Sequence, residues 1–327
     1  LYCNQVFITD QLDGVIPEFM QLLHGVIDSP DIPLNVSRSF LQSDASVKKI
    51  SAHISKKVSD KLEEMFKNDR EDFEKKWEDI KIFIQYGSIT DEKFWDRAKS
   101  FFLLKNVEGK YFTLDEYKTY IETLQKDKNE TLVYLYAADA EKQHIYIQSA
   151  QERGYDVLLM DSILDAHFIN MLEQKLEKSK FARVDADVID KLIEKEDSLI
   201  SKLSEEERKN LSEIFENSVE KEKFTVVVES LNDTDLPVMI MQNEFMRRFQ
   251  DMERLSGQNG MYGRFEHYNL VVNDNNEVIV NLLKEEDAEK KSQMTQQLVD
   301  LALLSQNMLT GEKLSQFVRR SLDFIAK

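Results

Sequence analysis

Two almost wholly apolar runs, Leu132-Val133-Tyr134-Leu135-Tyr136 and Tyr155-Asp156-Val157-Leu158-Leu159-Met160, flank a helical stretch at 141–153 that Gly154 is placed to stop. A strand with water on one face alternates apolar and polar residues; a strand apolar throughout must be covered on both faces. Strand, helix, strand in that pattern predicts a parallel pair with a crossover helix, inside an αβα layer between about 90 and 180. No glycine-rich loop follows the first strand, where Ala137-Ala138-Asp139-Ala140 stands instead, so a dinucleotide site is disfavoured. Within this unit Phe94, Ala98, Phe101, Phe102 and Leu104 are expected to share one helical face, and Thr113 to cap a helix opening with Asp115-Glu116-Tyr117.

Upstream, 1–8 reads as a strand. Val47, Ile50, Ile54, Val58, Leu62 and Met65 recur at steps of three and four, which predicts a long amphipathic helix. Residues 67–80 continue it as a charged helix with Phe73 and Trp77 inward. Downstream, 173–222 is dominated by Lys, Glu, Ser and Asp and reads as a linker flowing into a charged helix, with a domain boundary near 184. Strands are expected at Phe224–Glu229 and Val238–Met241, a helix at 242–255, and a hairpin pairing 268–272 with 277–283 across Asn273-Asp274-Asn275-Asn276. Two helices, about 286–308 and 312–325, finish the chain. With 9 Gly and 4 Pro in 327 residues, turn formers are scarce, and the expected class is a helix-rich soluble α+β or mixed α/β protein.

Charge narrows the partners. The 43 basic against 61 acidic residues give −18, which argues against nucleic acid, because phosphate binding needs clustered Lys and Arg. The single cysteine, Cys3, excludes an internal disulfide and fits a reducing compartment. No apolar run approaches the length of a membrane span, and no leader pattern opens the chain. The five histidines are scattered, Asp185-x-Asp187 lacks the glycine and closing Glu of a calcium loop, and no nucleophile motif occurs, so neither a metal nor covalent catalysis is expected.

Four constellations remain. Pro30 and Pro33 hold 29–36 extended, and a helical pattern begins at Ser37 or Ser39 with Gln42 placed to close a capping box. Arg38 therefore stands at a helix start, where the dipole disfavours a cation. It is either a solvated surface arginine or a group that meets an anion. Met241, Phe245, Phe249 and Met252, with Met246 beside them, form a Met/Phe stripe, which is either core or an adaptable apolar contact surface. The glycines of 257–263 lack the Lys-Ser/Thr of a phosphate loop and read as a connector. The last two helices present apolar stripes, Leu298, Leu301 and Met308 on one and Leu314, Val318, Leu322 and Ile325 on the other. A two-fold four-helix bundle with a second copy would cover them.

The run Leu1-Tyr2-Cys3-Asn4-Gln5-Val6-Phe7-Ile8-Thr9-Asp10, then Ile16-Pro17-Glu18-Phe19, Gly25-Val26-Ile27-Asp28-Ser29 and Leu34-Asn35-Val36-Ser37-Arg38, closely resembles the middle domain of the ninety-kilodalton heat-shock chaperones, nearest to their bacterial HtpG branch. The resemblance continues through Phe317-Val318-Arg319-Arg320-Ser321-Leu322 and covers essentially the whole chain. It implies a middle domain at 1–184, with a helical unit about 40–85 and the αβα unit about 90–180, and a C-terminal dimerisation domain at 185–327 ending in a helix pair. It implies that Arg38 reaches the terminal phosphate of ATP, with Mg, in a preceding domain absent here, and that Gln42 supports Arg38. This piece alone would then hold no cofactor and hydrolyse no ATP. The family places an exposed client-binding helix at 242–255 and dimerises through its last helices. Ser39 replaces a frequent Glu, and His167 replaces a tryptophan that faces client in the bacterial branch. The chain lacks the acidic tail of eukaryotic cytosolic relatives, so tail-reading co-chaperones are not expected, and the bacterial cytoplasm is the expected setting. The implied function is an ATP-dependent chaperone acting as a homodimer on unfolded or partly folded proteins. A nucleotide-independent dimeric holdase or scaffold is the alternative, and an enzyme built on the αβα unit a weaker one.

Overall fold

The structure, a computed structural model, describes residues 1–10, 16–22, 24–30, 45–195, 199–242, 248 and 267–325. They fall into two compact units, 1–120 with 167–175, and 121–166 with 176–327. Helix outweighs strand in both, the mixed helix-rich class that the composition implied.

The first unit opens on a hairpin, β1 (Tyr2–Cys3) and β2 (Val6–Phe7), antiparallel with Tyr2 opposite Phe7. The continuous strand expected at 1–8 is broken because Asn4 and Gln5 both turn left-handed, φ 50° and 66°, as a two-residue hairpin turn requires. Helix α1 (Ala45–Asn68) and helix α2 (Arg70–Thr90) are separate, not one run. Asp69 divides them: its φ of −151° leaves the helical region, and its carboxylate accepts from Asp72 N at 3.0 Å. Asp91 repeats the device before α3 (Glu92–Ala98), accepting from Lys93 N and Phe94 N at 2.9 and 3.2 Å.

The expected helical face through Leu104 is not formed. Helix α3 ends at Ala98, Phe101 and Phe102 lie in the following turn, and Leu104 sits in β3 (Leu103–Lys105), paired antiparallel with β4 (Tyr111–Thr113). Asn106 fixes that hairpin by accepting from Glu108 N and Lys110 N, with Gly109 at φ 82°. The apolar residues are buried as expected, but by a different backbone. Phe102 stacks on Phe168 at 4.5 Å and meets Trp77 edge-on at 5.0 Å, while Phe73 meets Phe101 at 6.2 Å. Gly87 is required by close approach, since a Cβ there would lie 2.8 Å from the rings of Phe19 and Phe94. Helix α4 (Leu114–Ile121) follows; Thr113 and Glu116 cap it reciprocally, Thr113 N to Glu116 Oε2 at 2.8 Å and Glu116 N to Thr113 Oγ1 at 3.3 Å.

In the second unit β5 (Leu132–Ala137), α5 (His144–Glu152) and β6 (Val157–Leu159) form the parallel crossover, with Gly154 at φ 75° ending the helix. Beyond α6 (Asp165–Lys175) the presumed linker contains a third parallel strand, β7 (Ser179–Arg183), giving the order β6-β5-β7. An edge strand needs covering less than a central one, so Lys180 and Arg183 are tolerated around Phe181, which stacks on Tyr134 at 4.6 Å. Short α7 (Ile189–Leu192) and α8 (Glu205–Glu216) follow, the latter opened by a Ser204/Glu207 capping box.

The second sheet has β10 (Tyr268–Asn273) at its centre, parallel to β8 (Phe224–Glu229) and antiparallel to β9 (Val238–Met241). The hairpin expected across 273–276 is therefore wrong: 277–283 is not a strand but most of α9 (Glu277–Lys284). Asn276 decides the matter by accepting from Val278 N at 2.9 Å, and Leu282 and Ile279 then fall on one buried face. The side chains before it turn inward. Asn275 Oδ1 accepts from Lys202 N at 2.8 Å, and its amide donates to Ile200 O and Leu231 O at 3.2 and 3.1 Å. Asn273 donates to Asn232 O at 2.8 Å, and buried Asp274 pairs with Arg208 Nε at 2.9 Å and accepts from Ser201 Oγ at 2.8 Å. Helices α10 (Ala288–Ser305), capped by Asp287, and α11 (Gly311–Ile325) complete the unit.

Candidate functional site

The helix pair α10–α11 is the described surface that most needs a partner. Leu298, Val299 and Ala302 of α10 join Ile240, Leu270 and Ile279 in the core of the second unit. Of α11, Phe317 is the buried residue. Val318, Leu322 and Ile325 are 47, 60 and 81% exposed, and Leu301, Leu304 and Phe324 are exposed beside them. The apolar positions recur at helical spacing, so the stripe is a property of the helix and not scattered residues.

A polar network holds the two helices in register. Arg320 of α11 pairs with the buried carboxylate of Asp300 on α10 and donates from Nε to Gln297 Oε1 at 2.8 Å. Gln297 donates on to Ser321 Oγ at 2.9 Å, and Gln296 to Asp300 Oδ1 at 2.9 Å. Of the residues expected at a dimer interface, Leu301, Val318, Leu322 and Ile325 share the exposed surface. Leu298 instead lies in the unit's own core, Met308 packs against that core, and Leu314 is half-buried. Leu304 and Phe324 were missed; Leu304 stands three residues from Leu301, which carried the signal, whereas Phe324 stands two from Leu322, a spacing that does not share a helical face.

The base of this pair is anchored on α5. The Tyr146 hydroxyl donates to Ile240 O at 3.0 Å and accepts from Gln306 Nε2 at the C-terminal end of α10. Burial raises the Tyr146 pKa well above the usual phenol range, and the nearby Asp185 charge adds to the shift. Burial likewise raises Asp185, against the pull of Arg183, which binds it two-pronged at 2.7 and 2.9 Å. Beside Tyr146 a cavity of about 260 Å³ is bordered by Val184, Val188, Leu236 and Met239. Asp235, which also borders the cavity, bonds Arg153 at 2.7 Å, and Arg153 bonds Asp190 at 2.8 Å. Burial alone would lower the Arg153 pKa; the two carboxylates outweigh it.

Arg38 and Gln42 lie outside the described residues, as do Phe245, Met246, Phe249, Met252 and the 257–263 connector. Met241 is described: it ends β9 and is 2% exposed, packed inward rather than presented to solvent. The αβα unit offers no phosphate cradle at β5. The two backbone N–H groups after the strand, of Ala138 and Asp139, are taken by Gln143 Oε1 at 2.8 and 3.0 Å, so a nucleotide does not fit there. Among the described residues no three His, Cys, Asp or Glu side chains converge as a metal site, and no helix is long and apolar enough to cross a membrane.

The chain is similar to "Chaperone protein htpG" of Bacteroides fragilis strain YCH46, 43% identical over 393 positions that include 99% of this chain and 58% of the relative. The Porphyromonas gingivalis chaperone protein HtpG is 44% identical over 98% of the chain and 57% of the relative, and that of Borrelia garinii is 25% identical over 100% and 52%. The chain thus spans about 58% of the length of the curated relatives it matches. The family model described as "Hsp90 protein" matches residues 1–322, from the opening hairpin to the exposed stripe of α11, and the chain belongs to the Hsp90 family.

Proposed function

We propose that this chain is the middle and C-terminal part of an ATP-dependent molecular chaperone that works as a homodimer in the bacterial cytoplasm. The observation that carries the reading is the exposed apolar stripe of α11, continued by Leu301 and Leu304 of α10. Two copies related by a two-fold axis cover four such helices at once, and the Arg320–Asp300 pair presents each stripe in a fixed register. The domain boundary is placed near 184, at the end of β7.

ATP with Mg supplies the free energy of the clamp cycle and is assigned to a segment that the longer relatives carry. Arg38 would contribute a fixed cation beside the terminal phosphate, as an arginine finger does, and Gln42 would hold its orientation. Phe245, Met246, Phe249 and Met252 are assigned to client contact, with unfolded or partly folded proteins as clients, since thioether and aromatic groups adapt to varied apolar partners. Met241 serves that surface as its buried root, not as contact area.

Sedimentation equilibrium of the chain and of its Val318→Glu, Leu322→Glu variant tests the dimer. Both positions are exposed in the single chain, so the variant should fold with an unchanged melt and sediment as a monomer where the parent is a dimer. A parent that is monomeric at tens of micromolar, or a variant that stays dimeric, overturns the reading.

A further inference from the structure

The cavity beside Tyr146, wholly within the second unit, combines an apolar floor with an acceptor-rich rim. Val184, Val188, Ile189, Met239 and Met241 border it, each at most 8% exposed. Such a floor offers water none of the two to four polar partners it needs. The donors of the polar lining are largely committed. The Tyr146 hydroxyl donates to Ile240 O at 3.0 Å, and the Thr234 hydroxyl to Asn232 Oδ1 at 3.0 Å. Arg153, the partner of Asp235, gives all five of its N–H groups within the chain. Its Nε bonds Asp190, its Nη1 the carbonyl and hydroxyl of Ser149, and its Nη2 both Asp190 and Asp235. The Asp235 side chain is 9% exposed, with Oδ2 on Arg153 at 2.7 Å, and among the described residues nothing bonds its Oδ1. Glu152 borders the same cavity with Oε1 alone engaged, by the Gln148 amide at 3.2 Å.

The geometry points to a binding site for a small protonated amine with an apolar body of about one aromatic ring, its ammonium on Asp235 and its body against Val188 and Met239. Volume sets the body. A cavity of about 150 Å³ takes up benzene, so about 260 Å³ leaves room for a ring and a short arm. The donor inventory sets the head. A ligand that brings only acceptors meets no N–H of Arg153 and faces two carboxylates, whereas an ammonium brings three donors and no acceptor. The local charge agrees: Arg153 offsets one of Asp190 and Asp235, and the other is left unbalanced beside Glu152. An ammonium–carboxylate bond is also roughly twice as strong as a neutral hydrogen bond. The site goes beyond the chaperone reading and uses no residue assigned to ATP, to client contact or to the dimer.

The test is a titration of the full 327-residue chain, ¹³C-labelled at its methionine methyls, with 2-phenylethylamine. The Met239 and Met241 methyls should shift saturably, moved by ring current, with a dissociation constant of about 1 mM or below. Met160, outside the lining, should hold still. The uncharged 2-phenylethanol should bind about tenfold more weakly, and neither the anion 3-phenylpropionate nor the bodiless methylamine should compete. Asp235→Asn should weaken 2-phenylethylamine by about fivefold or more and leave 2-phenylethanol unchanged. Equal affinity for the alcohol or the carboxylate overturns the proposal. So does equal competition by methylamine, which would mean bulk attraction to an acidic chain, and so does an Asp235→Asn variant that binds like the parent. Unmoved Met239 and Met241 at about 20 mM 2-phenylethylamine, a Kd too weak for recognition, overturns it as well. Should Asp235→Asn fail to fold, the comparison of the four compounds on the parent decides alone.

Discussion

Tyr146 of α5 donates its hydroxyl hydrogen to the backbone carbonyl of Ile240 in β9, 3.0 Å away, and so joins the parallel sheet's crossover helix to the sheet that supports the terminal helices. The same oxygen receives the Gln306 amide from the end of α10. One side chain thereby satisfies a buried acceptor and a half-buried donor.

Tyr146→Phe keeps the ring and takes the donor away from the buried Ile240 carbonyl, a cost of about 1–3 kcal/mol. Scanning calorimetry should show the transition of the second unit lowered by roughly 2–4 °C per kcal/mol. A melt indistinguishable from the parent would mean that the hydroxyl is dispensable.

The Arg320–Asp300 pair makes a sharper test. Arg320→Met strands a buried carboxylate, and removing one partner of such a pair costs about 3–5 kcal/mol. Replacing both, as Arg320→Met with Asp300→Leu, should recover most of that loss in chemical denaturation. If the double variant instead loses the sum of the two single losses, the two charges act independently.

Acid should loosen the first unit through Glu116. Its pKa is lowered from 4.5 to about 2, first by the Arg70 hydrogen bonds, with burial opposing. A depressed carboxylate stabilises the fold fully above its unfolded pKa, and that contribution is lost as pH falls from about 4.5 through about 2. The pair is largely exposed, so solvent screening keeps the effect modest. Glu116→Gln should therefore lower the melting temperature at pH 7 and lose part of the acid-side decline. Parallel profiles for parent and variant would remove Glu116 from the account.

In a full-length protein, Arg38→Ala should reduce ATP turnover by roughly 10²-fold or more while sedimentation still reports a dimer. Unchanged turnover would end the proposed role of Arg38.

The strands that had to be buried on both faces, Leu132–Ala137 foremost, could be read directly from residue type, as could Phe73 and Trp77 within their helix. The failures have a common cause. At 101–104 and 277–283 the apolar residues are dense enough to satisfy a helical and an extended period alike, and the decision fell to single polar residues, Asn106 and Asn276, whose bonds depend on the turn around them. Strand β7 escaped notice because Lys180 and Arg183 gave it the composition of a linker. At the helix pair, period alone gave the stripe. It could not tell Leu298, which faces its own sheet, from Leu301, which faces away, because that depends on where the sheet lies.

The turn at 273–276 has a consequence for how this fold can vary. Its asparagine and aspartate side chains stand in for a missing strand, supplying hydrogen-bond partners to the loops at 200–202 and 230–235 that no sheet edge reaches. Those loops look like free surface, yet they are knotted to a shared interior post. Lengthening either one should loosen the other, so insertions in this half of the molecule should be tolerated best in segments that do not touch the knot.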